Sequence, residues 1–340
     1  MATRLTGREI ADRSGVSLAT VSLVLNGKSG VSEETRQRVL TTAEQLGYRR
    51  HAQRPVIGVL IERLPIPAYG EPTVSVMIQG IETEATKLGY HMLLASVEPG
   101  TMQLPAMVTE RQVGGVIVMG GGDLTDTYIR LLAATGIPLV LTDNVVDELA
   151  LPCVLADNTV GGYLVTRHLL ELGHRRIALL EGPRKYKTLI ERREGFLRAL
   201  DHAGMTPSPE LMIKPVHGVS RKGYHQTREI LSLPREQWPT AIVAISDKTA
   251  LAALDALKDA RLRVPEDMAL VGFDDIDESA HVVPALTTVR LPMREIGQVA
   301  ARQLIGSING AETIPGKTVL YTELIVRQSS GAQQYAAETA

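Results

Sequence analysis

Short polar side chains recur between residues 17 and 26 at helical spacing, interrupted by apolar ones. The set of interest comprises Ser17, Leu18, Ala19, Thr20, Ser22, Leu23 and Asn26. Hydroxyl and amide groups of this kind hydrogen-bond to phosphate oxygens, and an exposed leucine can contact the methyl group of thymine. The pattern therefore indicates a helix suited to the major groove of DNA.

Leu23 has two interpretations. On a helical wheel, Val21, Val24 and Leu25 form one apolar stripe, and Leu23 lies nearly opposite that stripe among small polar neighbours. There it either reads a thymine methyl group or is a scattered surface leucine, which needs no functional explanation.

The elements around this helix follow a helix-turn-helix pattern. Thr6 and Glu9 form a capping box that opens a first helix, and Gly15 suits a tight turn because it tolerates a positive φ. Ser17 is placed to cap the second helix, and a third is expected from Ser32 to Leu46, before Gly47. The predicted core of this head is Ile10, Ala11, Val16, Val21, Leu25, Val39, Leu40, Ala43 and Leu46.

From Pro55 onward, short apolar runs alternate with amphipathic segments. Buried parallel strands are predicted at 56–61, 91–95, 115–119, 138–142, 176–180, 241–245 and 268–272. Helices are predicted near 74–88, 125–135, 158–172, 187–203, 220–231, 247–260 and 293–308. This alternation predicts α/β architecture with doubly wound parallel sheets, and a chain of 340 residues favours two sheets, with the break after Ala156.

Charge separates the two ends of the chain. Residues 1–55 hold nine Lys and Arg against five Asp and Glu, whereas the remainder holds 27 against 33. A basic head on an acidic body fits phosphate binding by one end only. The lone Cys153 cannot form an internal disulfide, and no Cys/His cluster has metal-ligand spacing. With no signal-peptide core or long apolar stretch, we expect a cytoplasmic protein without metal, cofactor or membrane contact.

Three other patterns in the sequence could indicate a catalytic or phosphate-binding site. The segment 120–123, Gly-Gly-Gly-Asp, follows a strand but lacks the lysine of a phosphate-binding loop, which favours a strand-to-helix loop at a cleft mouth. The histidines are scattered, and the adjacent carboxylates Asp274 and Asp275 diverge on an extended segment. The sequence shows no catalytic constellation, and we expect no enzyme.

Motifs spread over nearly the whole chain resemble the LacI/GalR family of bacterial transcription regulators. In the head they are Ile10-Ala11, Ser14-Gly15-Val16-Ser17, Thr20-Val21-Ser22, Asn26, Val31-Ser32, Thr35-Arg36 and Leu46-Gly47-Tyr48. In the body they are His168-Leu169, Leu172 to Ala178, Arg192, Gly195-Phe196, Val271 to Asp275, Leu286 to Val289 and Leu324 to Arg327. Their order and joint presence make the resemblance specific.

The resemblance implies a three-helix helix-turn-helix head (1–48), a short basic linker (49–55), a two-lobed core (56–328) and a tail (329–340). Each lobe would have the periplasmic-binding-protein type of sheet, with three crossovers between them. The N-lobe would comprise about 56–156 plus 291–318, and the C-lobe about 157–288 plus 319–328.

The resemblance also implies site residues. Ser17, Thr20, Ser22, Asn26, Ser32 and Thr35 would contact phosphates, while Leu18, Ala19 and Leu23 would face base edges. Alternatively, Ser17 and Ser32 cap helices, and a residue that caps a helix can also bind phosphate. Between the lobes, the effector would contact Asp143, Arg192, Ser246 and Asp274, and Tyr69 in an irregular loop could also line the cleft. Alternatively, the aspartates stabilise a turn or cap a helix, and Arg192 forms a surface salt bridge. Within the cleft, Arg192 could equally bind a ligand carboxylate.

Three departures from the family pattern stand out. Only eight residues separate Tyr48 from Ile57, and the basic linker offers no leucine to wedge into the minor groove. Leu23 stands where an arginine is frequent, which removes guanine readout from that position. Ser246 replaces a more frequent asparagine, and Gly218 falls near a usual aromatic platform, so the cleft is expected to differ from one that stacks a plain pyranose.

These observations predict a homodimeric repressor that binds a near-palindromic operator in double-stranded DNA and responds to a small sugar-like or sugar-acid effector. The alternatives are a regulator with a purine-like corepressor, a solute receptor for transport and a sugar-metabolising enzyme with a DNA-binding head. The absent signal peptide and the basic head argue against the receptor, and turnover of a cleft ligand would favour the enzyme.

Overall fold

The computed structural model describes residues 7–25, 30–46, 55–63, 71–120, 122, 124–146, 148–216, 220–311 and 315–332. The chain divides into two compact units, Met1–Pro55 and Val56–Ala340. This division falls where the sequence changes from the basic head to alternating strands and helices.

The head consists of three helices: α1 (Gly7–Ser14), α2 (Leu18–Leu25) and α3 (Glu33–Gln45). Its buried apolar residues are Ile10, Ala11, Val21, Val24, Val39 and Ala43, with Val16, Val31 and Leu46 packed at their edge. Leu40 was predicted in this core, and that prediction is wrong: its side chain is 42% exposed because it falls outside the buried face that Val39 and Ala43 form on α3. Thr6, Asn26 and Gly47 lie outside the described residues.

The N-lobe is a six-stranded parallel sheet between helices. Its strands are β1 (Val56–Glu62), β2 (His91–Val97), β3 (Val116–Met119), β4 (Leu139–Thr142), β5 (Cys153–Ala156) and β11 (Lys317–Leu320), in the order β11-β5-β4-β3-β1-β2. Its helices are α4 (Pro72–Lys87), α5 (Ala106–Thr109), α6 (Asp126–Ala133) and α12 (Met293–Ile308). Alternate residues of β1 enter different cores: Val59 packs with residues of α4 and α12, and Leu60 packs with residues of α5 and α6. This two-sided burial is the reason why the strands are short and almost wholly apolar.

The C-lobe repeats this plan with four parallel strands. They are β6 (Ile177–Leu180), β7 (Met212–Ile213), β8 (Ala241–Ala244) and β9 (Ala269–Val271), in the order β7-β6-β8-β9. Its helices are α7 (Asn158–Glu171), α8 (Lys187–His202), α9 (Lys222–Leu231), α10 (Asp247–Asp259) and α11 (Asp277–His281). Residues of α7 and α8 fill the core on one face of this sheet, and residues of α9 and α10 fill the core on the other.

The lobes are joined by three chain crossings. The first follows β5, and the other two run through β10 (Thr288–Arg290) and β12 (Glu323–Ile325), which pair with each other in antiparallel register. Each lobe is therefore built from separate stretches of sequence, and the paired crossing strands connect them.

Four details differ from the predictions. The strand predicted as buried at 91–95 is the edge strand β2, which pairs on one side only and leaves Leu93 and Leu94 exposed. Strand β5 was not predicted, although its residues are buried. Strand β11 extends the N-lobe to Leu320, beyond the expected limit of 318. The tail was expected to begin at 329, but Ser329 is buried and its hydroxyl donates to the Leu270 carbonyl.

Helices α7 and α8 approach each other closely, and this contact sets the position of Arg192. A Cβ on Gly162 would lie 2.2 Å from the Arg192 carbonyl oxygen, and a Cβ on Gly195 would lie 2.1 Å from the Thr159 carbonyl oxygen. Because neither glycine carries a side chain, the two backbones can pack at this distance. The packing holds one face of α8 against α7, and Arg192 extends from α8 toward the strand ends.

Candidate functional site: an effector cleft and a DNA-reading helix

The exposed face of α2 carries the side chains predicted to meet DNA. Leu18 is 54% exposed, Ala19 and Ser22 are exposed, and Leu23 is half-buried. The opposite face is closed by Val21 and Val24, as the helical wheel predicted. Positions 18, 19, 22 and 23 thus form one continuous surface of small and apolar groups, as neighbours three and four apart do on a helix.

The N-termini of α2 and α3 are capped in the same way. The Ser17 hydroxyl accepts a hydrogen bond from the Thr20 backbone amide at 3.0 Å, and the Ser32 hydroxyl accepts one from Thr35 at 3.3 Å. Gly15 precedes α2 with a φ of 68°, which confirms the tight turn. A capped helix N-terminus carries a partial positive charge, so both helices present a favourable site for a phosphate oxygen.

Arg192 is the buried one among the predicted effector residues that the structure describes. It is 7% exposed, its Nη1 lies 2.9 Å from Asp274 Oδ1, and the same nitrogen donates to the Ile245 carbonyl at 2.8 Å. Its Nε donates to Asn158 Oδ1 at 3.0 Å, and the guanidinium lies 4.0 Å from the centroid of the Phe273 ring. The surface salt bridge considered for Arg192 is therefore wrong, because α8 packs this residue inward rather than toward water.

The two predicted aspartates both interact electrostatically with Arg192. Burial raises the pKa of the Asp274 carboxyl to about 7, despite the opposing attraction of Arg192 and with added repulsion from buried Asp247. Burial likewise raises the pKa of Asp143 to about 6, again against the attraction of Arg192. Arg192 attracts both carboxyl groups, and at each of them the effect of burial outweighs that attraction.

Asp143 has an unsatisfied oxygen. Its Oδ1 is buried and makes no hydrogen bond within the protein, and its backbone adopts the left-handed region with a φ of 52°. Leaving a buried acceptor without a donor costs about 1–3 kcal/mol, more for a charged group. A donor supplied from outside the chain would relieve that cost.

Ser246 and Tyr69 complete the predicted set. Ser246 lies next to Ile245, whose carbonyl contacts Arg192, but its hydroxyl caps α10 by accepting from the Thr249 amide at 3.3 Å. Of the effector residues predicted, the structure brings together Asp143, Arg192 and Asp274, and it gives Ser246 a capping contact. Tyr69 lies outside the described residues.

Sequence reasoning missed several residues of this cleft. Glu62 ends β1, Asn158 begins α7, and Tyr186 precedes α8. Glu62 could have been recognised as a carboxylate at the carboxyl end of a predicted strand, where open α/β sheets bind ligands. Asn158 was missed with the unpredicted β5, and Tyr186 carries no signal beyond being an aromatic residue in a loop.

Cavities among the described residues are lined by the N-lobe, by the C-lobe and by both lobes together. An N-lobe pocket of about 70 Å³ is lined by Ile61, Glu62, Thr73, Val74, Met77, Met119, Gly120, Asp143 and Met293. A C-lobe pocket of about 160 Å³ is lined by Glu181, Gly182, Arg184, Leu189, Ile190, Arg193 and Ile245. A third cavity, of about 640 Å³, lies between α4 and the segment 274–278. The third falls in the range of about 300–1,000 Å³ that ligand pockets usually occupy, whereas the first two are smaller.

No helix among the described residues is long and apolar enough to span a membrane.

The chain matches two family models. Residues 6–51 match the bacterial regulatory proteins of the lacI family, and residues 166–330 match a periplasmic binding protein-like domain. Among curated proteins, it is 36% identical to the HTH-type transcriptional regulator MalR of Streptomyces coelicolor, over 98% of each chain. It is 30% identical to the HTH-type transcriptional repressor CytR of Escherichia coli, over 97% of each chain.

Solved structures agree in fold over the same length. A complex of the transcriptional regulator CelR with cellobiose has a TM-score of 0.73 and 31% identity, covering 96% of this chain and 100% of that one. The lac repressor dimer bound to operator and an anti-inducer has a TM-score of 0.71 and 26% identity, covering 96% and 99%. These relatives are transcription regulators and not enzymes. With a relative this similar over the full length of both proteins, the chain belongs to the lacI family of bacterial transcription regulators.

Proposed function

We propose that this regulator is a homodimeric repressor whose affinity for its operator is controlled by a neutral sugar bound in the cleft. The observation that carries the proposal is the cluster of buried Arg192 with half-buried Asp143 and Asp274, in a chain that also presents a capped, exposed helix of the helix-turn-helix type. The cluster offers a ligand one unsatisfied acceptor, Asp143 Oδ1, and the helix offers a reading surface to DNA. Such a protein would act in the cytoplasm, where bacterial DNA is.

The state of Arg192 favours a neutral ligand over a sugar acid. Its guanidinium is already engaged by Asp274, Asn158 and the Ile245 carbonyl. A ligand carboxylate would have to displace Asp274 and would face the negative charge of Asp143. Sugar hydroxyls, by contrast, donate hydrogen bonds to carboxylates, and the free Asp143 Oδ1 is an acceptor for one.

The cavity of about 640 Å³ that Asp274 lines is compatible in size with a ligand of more than one sugar ring, and the CelR neighbour was solved with cellobiose. We propose a disaccharide-sized effector on these two grounds. A nucleobase-like corepressor is the competing candidate, and it would need hydrogen-bond donors and flat apolar surfaces more than paired carboxylates, which only accept.

Exposed apolar residues on both lobes support the dimer. Leu93 is 38% and Leu94 is 42% exposed on the edge strand β2, and Val283 is 76% exposed on the C-lobe. The lac repressor neighbour was solved as a dimer on its operator. A two-fold axis would present two copies of α2 to a near-palindromic site, with Ser17, Thr20, Ser22, Ser32 and Thr35 at phosphates and Leu18, Ala19 and Leu23 at base edges. Asn26 and the short linker, which lie outside the described residues, stay predictions.

A thermal-shift screen tests the effector proposal. The purified protein is heated with cellobiose, maltose, ribose, gluconate and hypoxanthine in separate wells. We expect stabilisation by a neutral sugar, about 2.7 kcal/mol at 100 times its dissociation constant, and none by gluconate. Arg192→Ala should remove the stabilisation. Stabilisation by gluconate or hypoxanthine alone would overturn the assignment of the ligand class.

A further inference from the structure

Tyr186 of the C-lobe packs against Gly122, which belongs to the glycine-rich loop of the N-lobe. Gly122 has a φ of 81°, and a Cβ added to it would lie 2.5 Å from Tyr186 Cε1 and 2.8 Å from Cδ1. No side chain larger than hydrogen fits at residue 122 while the Tyr186 ring is in place. The glycine is therefore matched to a residue on the other side of the cleft.

The Tyr186 hydroxyl makes a second contact across the cleft. It donates to Glu62 Oε1 at 3.2 Å, and Glu62 is a buried carboxylate at the end of β1. Glu62 lines the N-lobe pocket together with Gly120 and Asp143. Tyr186 thus lies at the rim of the pocket that contains the unsatisfied aspartate.

The next residue reinforces this contact. Lys187 Nζ donates to the Val145 carbonyl and lies 3.6 Å from Asp126 Oδ2, and both of these partners belong to the N-lobe. Lys187 begins α8, the helix that also carries Arg192. The first turn of α8 is therefore attached to the opposite lobe, and any relative movement of the lobes must change these contacts or move α8.

We propose that Tyr186 is a positioning residue that latches the two lobes in the closed orientation, with Gly122 as its seat and Glu62 as its hydrogen-bond acceptor. With the latch closed, the N-lobe pocket measures about 70 Å³, well below the volume of a ligand site. A sugar reaches Asp143 only when the latch opens. The inference rests on the proposed control by a cleft ligand, and it names the contact that this ligand must break or reshape.

Hydrogen exchange followed by mass spectrometry tests the latch in the absence of any sugar. Tyr186→Ala should speed exchange by at least about threefold in the N-lobe segment around Glu62, because that segment loses its contact with the Tyr186 hydroxyl of the C-lobe. Gly122→Ala should have the reciprocal effect on the amides of Leu189 and Ile190, which bond to the Tyr186 carbonyl in the first turn of α8. Tyr186→Phe, which keeps the ring and removes the hydroxyl that bonds to Glu62, should give a smaller effect in the same direction.

Tyr224→Phe is the matched control. Its hydroxyl donates to Asp259 Oδ2 at 2.9 Å, a bond of the same type that stays within the C-lobe, so this variant should leave N-lobe exchange unchanged. The latch is overturned if folded Tyr186→Ala and Gly122→Ala proteins change exchange only within their own lobes. Because no sugar is added, a failed sugar screen would overturn the effector proposal and leave this result standing.

Discussion

At the scale of single residues, the most informative group is the Asp143 carboxyl. It is half-buried in a left-handed turn beside methionines, and one of its oxygens is buried without a hydrogen-bond donor. A carboxylate in such a place destabilises the folded protein unless something binds it. We interpret this cost as the signature of a binding group, since a purely structural aspartate would be expected to satisfy both oxygens.

Asp143→Asn should make the unliganded protein more stable at neutral pH. Because the folded-state pKa is raised from 3.8 to about 6, the folded protein holds this proton more tightly than the unfolded chain does. The contribution of this carboxyl group to the free energy of unfolding is therefore fully present below pH 3.8, and it is lost as the pH rises toward 6. Asparagine removes that loss and tolerates the left-handed backbone, so we expect a gain of up to about 3 kcal/mol at pH 7.5.

Urea denaturation of the wild type and Asp143→Asn at pH 4.5 and pH 7.5 measures the effect. The gain should shrink at the lower pH, where the wild-type carboxyl is largely protonated. The same difference at both pH values would show that the charge of Asp143 is not the cause.

The half-buried Leu23 on α2 carries a second prediction. Leu23→Arg should change which operator sequences are preferred, because the guanidinium can pair with guanine in the major groove. Leu40→Arg is the matched control: it adds the same charge to the head on an exposed position of α3 and should raise affinity for all sequences alike. Selection from a random DNA library measures both, and an unchanged preference for Leu23→Arg would remove this residue from base readout.

Residue types in the cleft could be predicted, but their pairing could not. Asp143, Arg192 and Asp274 were all placed at the cleft from sequence, yet nothing in the sequence indicated that Asp274 occupies Arg192, since 82 positions separate them. Tyr186 was missed for the same reason: its partners Glu62 and Gly122 lie on the other lobe.

At the scale of elements, apolar patterning predicted most strands and helices of the body. Short runs such as Val116–Met119 and Leu139–Thr142 are buried on both faces, and this burial is what makes them apolar throughout. The exposure of β2 could not be predicted, because an edge strand that leaves Leu93 and Leu94 uncovered has the same local composition as a central one. Strand β11 depends on pairing with β5, a contact across 164 positions that leaves no local signal.

The close contact of α7 and α8 yields a prediction about packing. Gly162→Ala should destabilise the protein by about 1–3 kcal/mol or more, because the added Cβ meets the Arg192 carbonyl, a backbone atom that cannot turn aside. It should also weaken sugar binding by displacing α8. Gly306→Ala is the matched control on α12, where the nearest atom to an added Cβ is 3.7 Å away. That change should stabilise by about 0.5–1 kcal/mol through helix propensity.

Chemical denaturation of the two alanine variants measures these changes. Equal stability of both variants would show that α7 and α8 can separate without cost, and it would remove helix packing as the device that sets the position of Arg192.

At the scale of the whole molecule, the exposed edge of the N-lobe predicts how the dimer is held. Leu93→Glu should shift the protein toward monomers and weaken operator binding, because a monomer presents only one reading helix. Val216→Glu is the control, since it adds the same charge at another exposed apolar position of the body. Sedimentation velocity measures the monomer fraction, and a Leu93→Glu protein that stays dimeric would place the interface elsewhere.

The central claim is that a sugar bound beside Arg192 changes the affinity of the head for DNA. An operator selected from random DNA is labelled, and its binding is followed by fluorescence anisotropy with and without the sugar that gives the largest thermal shift. We expect the sugar to change wild-type operator affinity by about 5–150-fold, as is usual for coupled sites. Arg192→Ala should bind the operator without responding. If a saturating sugar leaves the wild-type operator affinity unchanged, the cleft does not control the head and the account is wrong.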